Sequence, residues 1–140
     1  MILAQKDKKV EKENAMTEKE AKKLCDVIRQ AAFDLHAYLG TGFLEKVYET
    51  GLAHRLSKAG LSVQTQVPIA VHDEDGFLLG EYVADMIVEG ILVELKSVST
   101  LAPAHLAQTI NYLHALRLDH GLLVNFGSPK FQCRHLYRRK

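Results

Sequence analysis

Three ionisable side chains lie on two short apolar segments of the sequence. Asp85 comes directly before the apolar residues 86–88, and Glu94 and Lys96 end the segment that begins at Ile91. The two segments are separated by a Glu-Gly pair, which suits a two-residue turn between antiparallel strands. The spacing therefore predicts a β-hairpin with one acid on its first strand and an acid and a lysine on its second.

The register of this hairpin would bring the three side chains to one face of a sheet. If Glu89 and Gly90 form the turn, counting back from it places Asp85 opposite Glu94. Directly opposed residues have Cβ atoms roughly 4.5–5.5 Å apart, and Lys96 shares their face because it lies two residues beyond Glu94. A longer turn would shift the register and separate the two carboxylates.

The chemistry of such a corner follows from charge. Two opposed carboxylates repel each other, most strongly in an apolar setting, so a positive charge must compensate them. Lys96 is one candidate, and Mg²⁺ is another because it takes a few carboxylates together with water and phosphate oxygens. A bound cation could polarise a phosphate while Lys96 positions or deprotonates a water. The alternative is a buried ion-pair cluster that only stabilises the hairpin.

A stripe of polar side chains follows on the next predicted helix. His105, Gln108 and Tyr112 have the spacing of one helical face, and Asn111 lies beside them. Because this helix begins soon after Lys96, we expect the stripe to overhang the same face of the sheet. The alternative is an ordinary solvated helix face.

A further carboxylate begins an earlier helix. Glu45, Tyr48 and Glu49 share one face by their spacing. Glu45 either complements the helix dipole from the first turn or adds a carboxylate to the metal corner, and the spacing leaves both open.

The periodicity of the sequence predicts a mixed α/β framework for these side chains. Thr17 and Glu20 form a capping box that begins the first helix, and Thr100 can cap the third helix with Pro103 in its first turn. The other expected elements are a helix over about 43–60 and strands over 61–71, 77–88, 91–98, 121–126 and 131–137. The strand over 121–126 is almost wholly apolar and should be central. The predicted element order is ααβββαββ.

The composition is that of one globular domain. A length of 140 residues fits a single domain, and 47% hydrophobic with 25% charged residues exclude a disordered chain. The net charge of +1 excludes a general basic coat, so a site for a polyanion must be local. The two cysteines exclude a disulfide framework and a cysteine-based metal site.

The start of the chain is polar and lacks an apolar signal region. We expect a polar N-terminal extension over 1–16, either a frayed tail or a helical extension, and a single domain over 17–140. No apolar run approaches the roughly 18 residues of a membrane span. The expected location is the cytoplasm, without membrane contact.

The motifs resemble those of a known family. Gly42-x-x-Glu45-x-x-Tyr48 is similar to the signature of the GxxExxY proteins, which are placed in the PD-(D/E)XK nuclease-like superfamily. The stretches at 35–40, 93–96 and 122–127 also resemble that family, and the likeness covers about residues 20–138. The resemblance implies a restriction-endonuclease-like fold, a mixed β-sheet flanked by helices, which agrees with the predicted element order.

The resemblance also implies roles for the residues singled out above. Asp85, Glu94 and Lys96 take the acidic, acidic and lysine positions of the superfamily, although Ala84 stands where its name has proline. Gln108-x-x-x-Tyr112 resembles a motif that orders the site and the DNA in the nuclease domains of bacterial recombination-repair helicase–nucleases. Glu45 matches the glutamate that the first core helix often contributes.

The sequence thus leads to one hypothesis and one rival. The hypothesis is a nuclease that hydrolyses phosphodiester bonds with Mg²⁺ or Mn²⁺, in DNA rather than RNA. Asp85 and Glu94 hold the metal, helped by a main-chain carbonyl near Leu95, and Lys96 and Glu45 complete the catalytic set. The expected substrate-lining residues are His105, Gln108, Tyr112 and Tyr48. The rival is a catalytically inert nuclease-fold module that acts through a protein partner or a homo-oligomer.

Overall fold

The computed structural model describes residues 16–139, so the predicted extension over 1–16 lies almost wholly outside the described residues. Helix α1 (Glu18–Leu39) begins with the predicted capping box, in which Thr17 and Glu20 exchange hydrogen bonds. It ends at Gly40, whose backbone has a φ of 71°. Helix α2 (Glu45–Lys58) follows after this short break.

In the described part of the chain, five strands form one mixed sheet in the order β1-β2-β3-β4-β5. The strands are β1 (Val63–His72), β2 (Leu78–Val88), β3 (Ile91–Lys96), β4 (His120–Asn125) and β5 (Gln132–Tyr137). Strands β3 and β4 are parallel, and all other neighbours are antiparallel. Helix α3 (Pro103–Leu116) makes the crossover between the two parallel strands. The predicted order ααβββαββ is confirmed.

Helices cover both faces of the sheet. One apolar cluster lies beneath α1 and α2 and includes Val93, Val124 and Phe126. The other lies beneath α3 and includes Leu92 and Leu113. Strand β4 is buried along its whole length, as expected for a central strand covered on both faces. No helix within residues 16–139 combines the length and apolar character needed to cross a membrane.

The β2–β3 hairpin has the predicted two-residue turn. Glu89 and Gly90 have φ values of 49° and 89°, and positive φ at both central residues is the mark of a type I′ turn. Val88 pairs with Ile91, and the two following pairs keep the predicted register. The turn is anchored from outside, because Glu89 exchanges a backbone and a side-chain hydrogen bond with Ser62.

Two predictions about element ends were wrong. Strand β3 ends at Lys96 rather than at Val98, because the side-chain amide of Asn125 bonds both backbone groups of Val98. Helix α3 has Ala102 rather than Thr100 as its N-cap residue. The imidazole of His105 accepts a hydrogen bond from the Ala102 backbone N–H, as the third helical residue of a capping box does.

Candidate active site

Asp85 lies where the pairing of β2 is interrupted on both sides. Toward β3 the ladder stops at Met86, and toward β1 the pairing passes over Gln66, which has a left-handed φ of 53°. Alternate residues of a strand normally share a face, yet Ala84 packs beneath α3 and Met86 beneath α1 and α2. The strand therefore changes face at Asp85, and such irregularities are common beside active sites.

Asp85 and Glu94 are joined by side-chain-to-backbone hydrogen bonds instead of a ladder pair. The Asp85 backbone N–H donates to Glu94 Oε1 at 2.8 Å, and the Leu95 N–H donates to Asp85 Oδ2 at 2.9 Å. Each carboxylate thus reaches the backbone of the opposite strand. The predicted opposition of the two acids holds, but through this interlocked arrangement rather than through a regular cross-strand pair.

The two carboxylates lie in an environment that opposes their charge. Glu94 is 4% exposed, and burial, followed by the neighbouring charge of Asp85, raises its pKa from 4.5 to about 8. The charge of Lys96 acts in the opposite direction and lowers the pKa of Glu94. Lys96 is thus close enough to compensate part of the negative charge, as the sequence predicts, but it does not compensate all of it.

This donor set fits a hard divalent cation. Two adjacent carboxylates with an uncompensated charge gain from a cation between them, and Mg²⁺ binds through one or two protein carboxylates while it keeps several waters. Within residues 16–139, no three His, Cys, Asp or Glu side chains form a ready-made metal cage. The residues therefore suit an ion that relies on water and substrate oxygens, and they do not suit a structural zinc site.

Helix α3 brings Tyr112 toward the carboxylates. Burial raises the pKa of Tyr112, and the charges of Glu94, Tyr82 and Asp85 add to the effect. The ring is largely buried beneath α3, with its centroid 5.7 Å from that of Tyr82. Gln108, one turn earlier, is exposed. Of the predicted stripe, Gln108 is thus exposed and Tyr112 is largely buried near the carboxylates, whereas the His105 ring is engaged with the Ala102 backbone N–H.

Helix α2 places Glu45 beside the end of β3. Glu45 is exposed, and its Oε1 accepts a hydrogen bond of 3.2 Å from the backbone N–H of Ser97, the residue after Lys96. Tyr48 is completely buried, stacks on Phe126 with centroids 4.5 Å apart and donates its hydroxyl hydrogen to the Gly40 carbonyl. It was predicted to line the substrate site; in this structure it instead fixes the loop before α2.

Two buried polar residues near the site were given no role by the sequence: Asn125 was not singled out, and Glu49 was noted only for its place on the face of Glu45. Asn125 is fully buried and pairs in register with Lys96, and its amide holds the chain at Val98 and Gly127. A single amide at the end of an apolar run was the available signal. Glu49 is 4% exposed and accepts hydrogen bonds from Lys46 and Gln66. No spacing rule distinguishes it from an exposed helix residue.

The arrangement can hold a cation against a phosphate and present an amine beside it. A cation bound between Asp85 and Glu94 would supply Lewis-acid polarisation of a phosphoryl oxygen. The ammonium group of Lys96, at the edge of this corner, can stabilise negative charge that develops on an oxygen. Glu45 and Ser97 fix the end of the strand that carries Lys96.

Comparison with known structures supports the fold. No curated protein matches the chain. The crystal structure of SSO0001 is similar in fold, with a TM-score of 0.53 and 19% sequence identity over 68% of this chain and 50% of that chain. The chain thus spans about half the length of that structure. The likeness bears out the predicted restriction-endonuclease-like α/β fold, which within residues 16–139 is a mixed five-stranded sheet with three helices.

The family match covers most of the chain. The model of the PD-(D/E)XK nuclease superfamily matches residues 22–139, a range that includes the capped helix α1 from near its start and the whole of the candidate site. The match reaches the superfamily and not the narrower GxxExxY family. Nucleases of the superfamily generally use divalent metal ions and bind nucleic acid. The chain belongs to the PD-(D/E)XK nuclease superfamily.

Proposed function

We propose that this protein hydrolyses phosphodiester bonds of DNA with the help of Mg²⁺ or Mn²⁺. The observation that carries the proposal is the interlocked pair of Asp85 and Glu94, with Lys96 close enough to act on the pKa of Glu94. Two repelling carboxylates in a buried corner cost folding free energy. That cost is understandable if the pair binds a cation.

In this proposal Asp85 and Glu94 hold the metal, and the main chain near Leu95 assists. Lys96 positions the attacking water and stabilises the negative charge that develops on the phosphoryl oxygens. Glu45 supports the same edge through its hydrogen bond to Ser97. Gln108 and Tyr112 contact the substrate. The GxxExxY motif would then act by fixing the loop and helix that present Glu45.

The second candidate is an inert module that acts through a protein partner or a second copy of the chain. One observation favours it: each carboxylate accepts a hydrogen bond from the opposite strand, as a purely structural pair would. A structural pair, however, is expected to be charge-balanced. Burial is the main cause of the raised pKa of Glu94, but the charge of Asp85 adds to it, which supports the metal site over a balanced structural pair.

Cleavage assays test the proposal directly. We expect the purified protein to cut plasmid or single-stranded DNA with Mg²⁺ or Mn²⁺ and to be inactive in EDTA. The Lys96→Ala variant should lose cleavage while its melting temperature stays near that of the parent, because Lys96 is only partly buried and contributes little to the core.

A matched control is Lys58→Ala. Lys58 is an exposed lysine at the end of α2 remote from Glu45, so this variant should cleave like the parent. Cleavage by Lys96→Ala at the parent rate would contradict the assigned role. A parent protein without activity on any DNA, with either metal, would favour the inert module.

A further inference from the structure

A groove between α3 and the β1–β2 hairpin adjoins the candidate active site. Its volume is about 880 Å³. The lining residues that matter here are Tyr82 on the hairpin and Gln108, Asn111, Tyr112, Arg117 and Arg139 on the opposite side. Tyr112 connects the two places, because it lines the groove and packs in one buried cluster with Ala84 and Leu92, which precede Asp85 and Glu94 by one and two residues. A ligand in the groove would therefore lie close to the carboxylates.

One wall of the groove offers an aromatic surface. Tyr82 is 50% exposed, although its ring centroid lies 5.7 Å from that of the buried Tyr112. Beside it on the strand is Gly80, where an added Cβ would lie 3.6 Å from Tyr82 Cε2. A glycine inside a strand often marks a place where a ligand approaches closely. The ring of Tyr82 is thus held from one side and remains half open.

The opposite wall carries groups that suit phosphates. Arg139 Nη2 donates a hydrogen bond of 3.0 Å to Asn111 Oδ1, which fixes the guanidinium at the wall. Arg117 lies at the end of α3 and lines the same groove. Asp73 and Glu74 also line it, so the groove is not strongly basic. Binding there would need contacts other than charge alone.

We propose that this groove binds a segment of single-stranded DNA, with a base stacked on Tyr82 and phosphates held by Arg139 and Arg117. The proposal rests on the proposed nuclease function and names the form of its substrate. Base–aromatic stacking requires an unstacked base, which a single strand offers and an intact duplex does not. The volume of about 880 Å³ lies within the roughly 300–1,000 Å³ of pockets for small ligands. The groove therefore suits a few nucleotides of one strand rather than a double helix.

The test is binding without cleavage. Fluorescence anisotropy would compare a labelled single-stranded oligonucleotide with its duplex, in EDTA to prevent hydrolysis. We expect the single strand to bind at least tenfold more tightly. Tyr82→Ala should weaken single-strand binding by about tenfold, since one stacked base contributes about 1–3 kcal/mol, whereas Tyr82→Phe should bind like the parent. Arg139→Ala should weaken binding and reduce its dependence on salt.

Two exposed residues elsewhere provide controls. Tyr38 on α1 is 78% exposed and does not line the groove, and Arg134 on β5 is exposed and also lies outside it. Tyr38→Ala and Arg134→Ala should therefore bind like the parent. Equal binding of duplex and single strand, no loss in Tyr82→Ala, or no binding of either DNA would each overturn the proposal. A protein that binds the single strand through Tyr82 but never cleaves it would contradict the proposed activity alone.

Discussion

Glu94 favours its neutral form in the metal-free protein. Its pKa in the folded state is about 8, against 4.5 for an ordinary glutamate, because it is buried and faces Asp85. A carboxyl group whose pKa is raised by folding stabilises the native state fully below about pH 4.5, and this contribution is lost as the pH rises through about 8. The charged form that a metal would bind is therefore the form that the apo fold resists.

We expect Glu94→Gln to remove this pH dependence. In EDTA, the free energy of unfolding of the parent should fall relative to that of the variant between about pH 5 and about pH 8. Glutamine keeps an oxygen that can accept the hydrogen bond from the Asp85 N–H. Urea denaturation at the two pH values measures the difference, and Glu81→Gln, at an exposed position of β2, is the control. Parallel pH profiles for the parent and Glu94→Gln would show that folding does not raise the pKa of Glu94.

Metal binding should offset the cost of ionising Glu94 beside Asp85. We expect Mn²⁺ to raise the melting temperature of the parent by several degrees, because a ligand at a hundredfold excess over its dissociation constant stabilises the native state by about 2.7 kcal/mol. The effect should be larger at about pH 8 than at about pH 6, since a bound cation must displace the proton of Glu94.

Asp85→Asn separates a metal site from a structural pair. The asparagine keeps an oxygen acceptor for the Leu95 N–H but removes the charge that opposes ionisation of Glu94. We expect this variant to lose the response to Mn²⁺ and, without metal, to melt no lower than the parent. A flat response in the parent together with a destabilised Asp85→Asn would mean that the pair serves only to join β2 and β3.

At the scale of elements, the site depends on how the chain leaves β3. Ser97 and Val98 pass so close to Gly127 that an added Cβ would lie only 2.5 Å from the Ser97 carbonyl carbon. In that segment, the Ser97 N–H also donates a hydrogen bond to the Glu45 carboxylate, and the Val98 N–H donates one to the Asn125 side-chain oxygen. The close approach at Gly127 therefore helps to set the position of the strand end that carries Lys96.

Gly127→Ala should accordingly destabilise the protein by more than about 2 kcal/mol, as overpacking against rigid backbone does. Gly80→Ala is the matched control, because a Cβ there meets Tyr82 only at an ordinary contact distance of 3.6 Å. Urea denaturation measures both variants. If Gly127→Ala were as stable as Gly80→Ala, the packing of Ser97 and Val98 could not be what positions the end of β3.

The elements that the sequence predicted well are those with a local cause. The capping box of Thr17 and Glu20 and the turn at Glu89 and Gly90 depend on neighbouring residues only, and both are present. The prediction of Thr100 as the N-cap of α3 was wrong, because the helix begins at Pro103 and Ala102 precedes it. Such a choice depends on how the loop is held by the rest of the molecule.

The site shows the same division between local and distant causes. Counting from the hairpin turn brought Asp85 close to Glu94, because register is a local property. The change of face at Asp85 could not be predicted, since it depends on Gln66, which lies on another strand and has a left-handed backbone. Nothing in the sequence indicated a role for Tyr82 either, because its proximity to Tyr112 arises only when α3 packs against the β1–β2 hairpin.

At the scale of the whole molecule, a histidine pair joins the start of the described chain to its last strands. His120 on β4 and His135 on β5 lie 3.0 Å apart between ring nitrogens, and the other nitrogen of His120 lies 3.2 Å from a Glu18 carboxylate oxygen on α1. Cys25, also on α1, has its Sγ 3.8 Å from His135. Only one ring of such a pair can donate in their shared hydrogen bond, so two protonated rings are incompatible with it.

Acid should therefore loosen this connection. Burial lowers the pKa of His135, and the positive charges of His120 and Arg29 lower it further, while Glu18 and Asp26 act in the opposite direction. A histidine whose pKa is lowered by folding stabilises the native state above its unfolded pKa of about 6.5, and this contribution is lost as the pH falls below that value. The pH dependence has the opposite sign to that of Glu94.

The two opposing effects can be separated because they belong to different ends of the sheet. His120 begins β4, whereas Asn125, which pairs with Lys96, ends it, and distant sites contribute almost additively. In a Glu94→Gln background, we expect the free energy of unfolding to fall between about pH 7 and about pH 5, and His135→Gln to reduce this fall. His54→Gln, at an exposed position of α2, should leave it unchanged. If His135→Gln kept the full acid sensitivity, the histidine pair would not be what couples α1 to the last two strands as the pH falls.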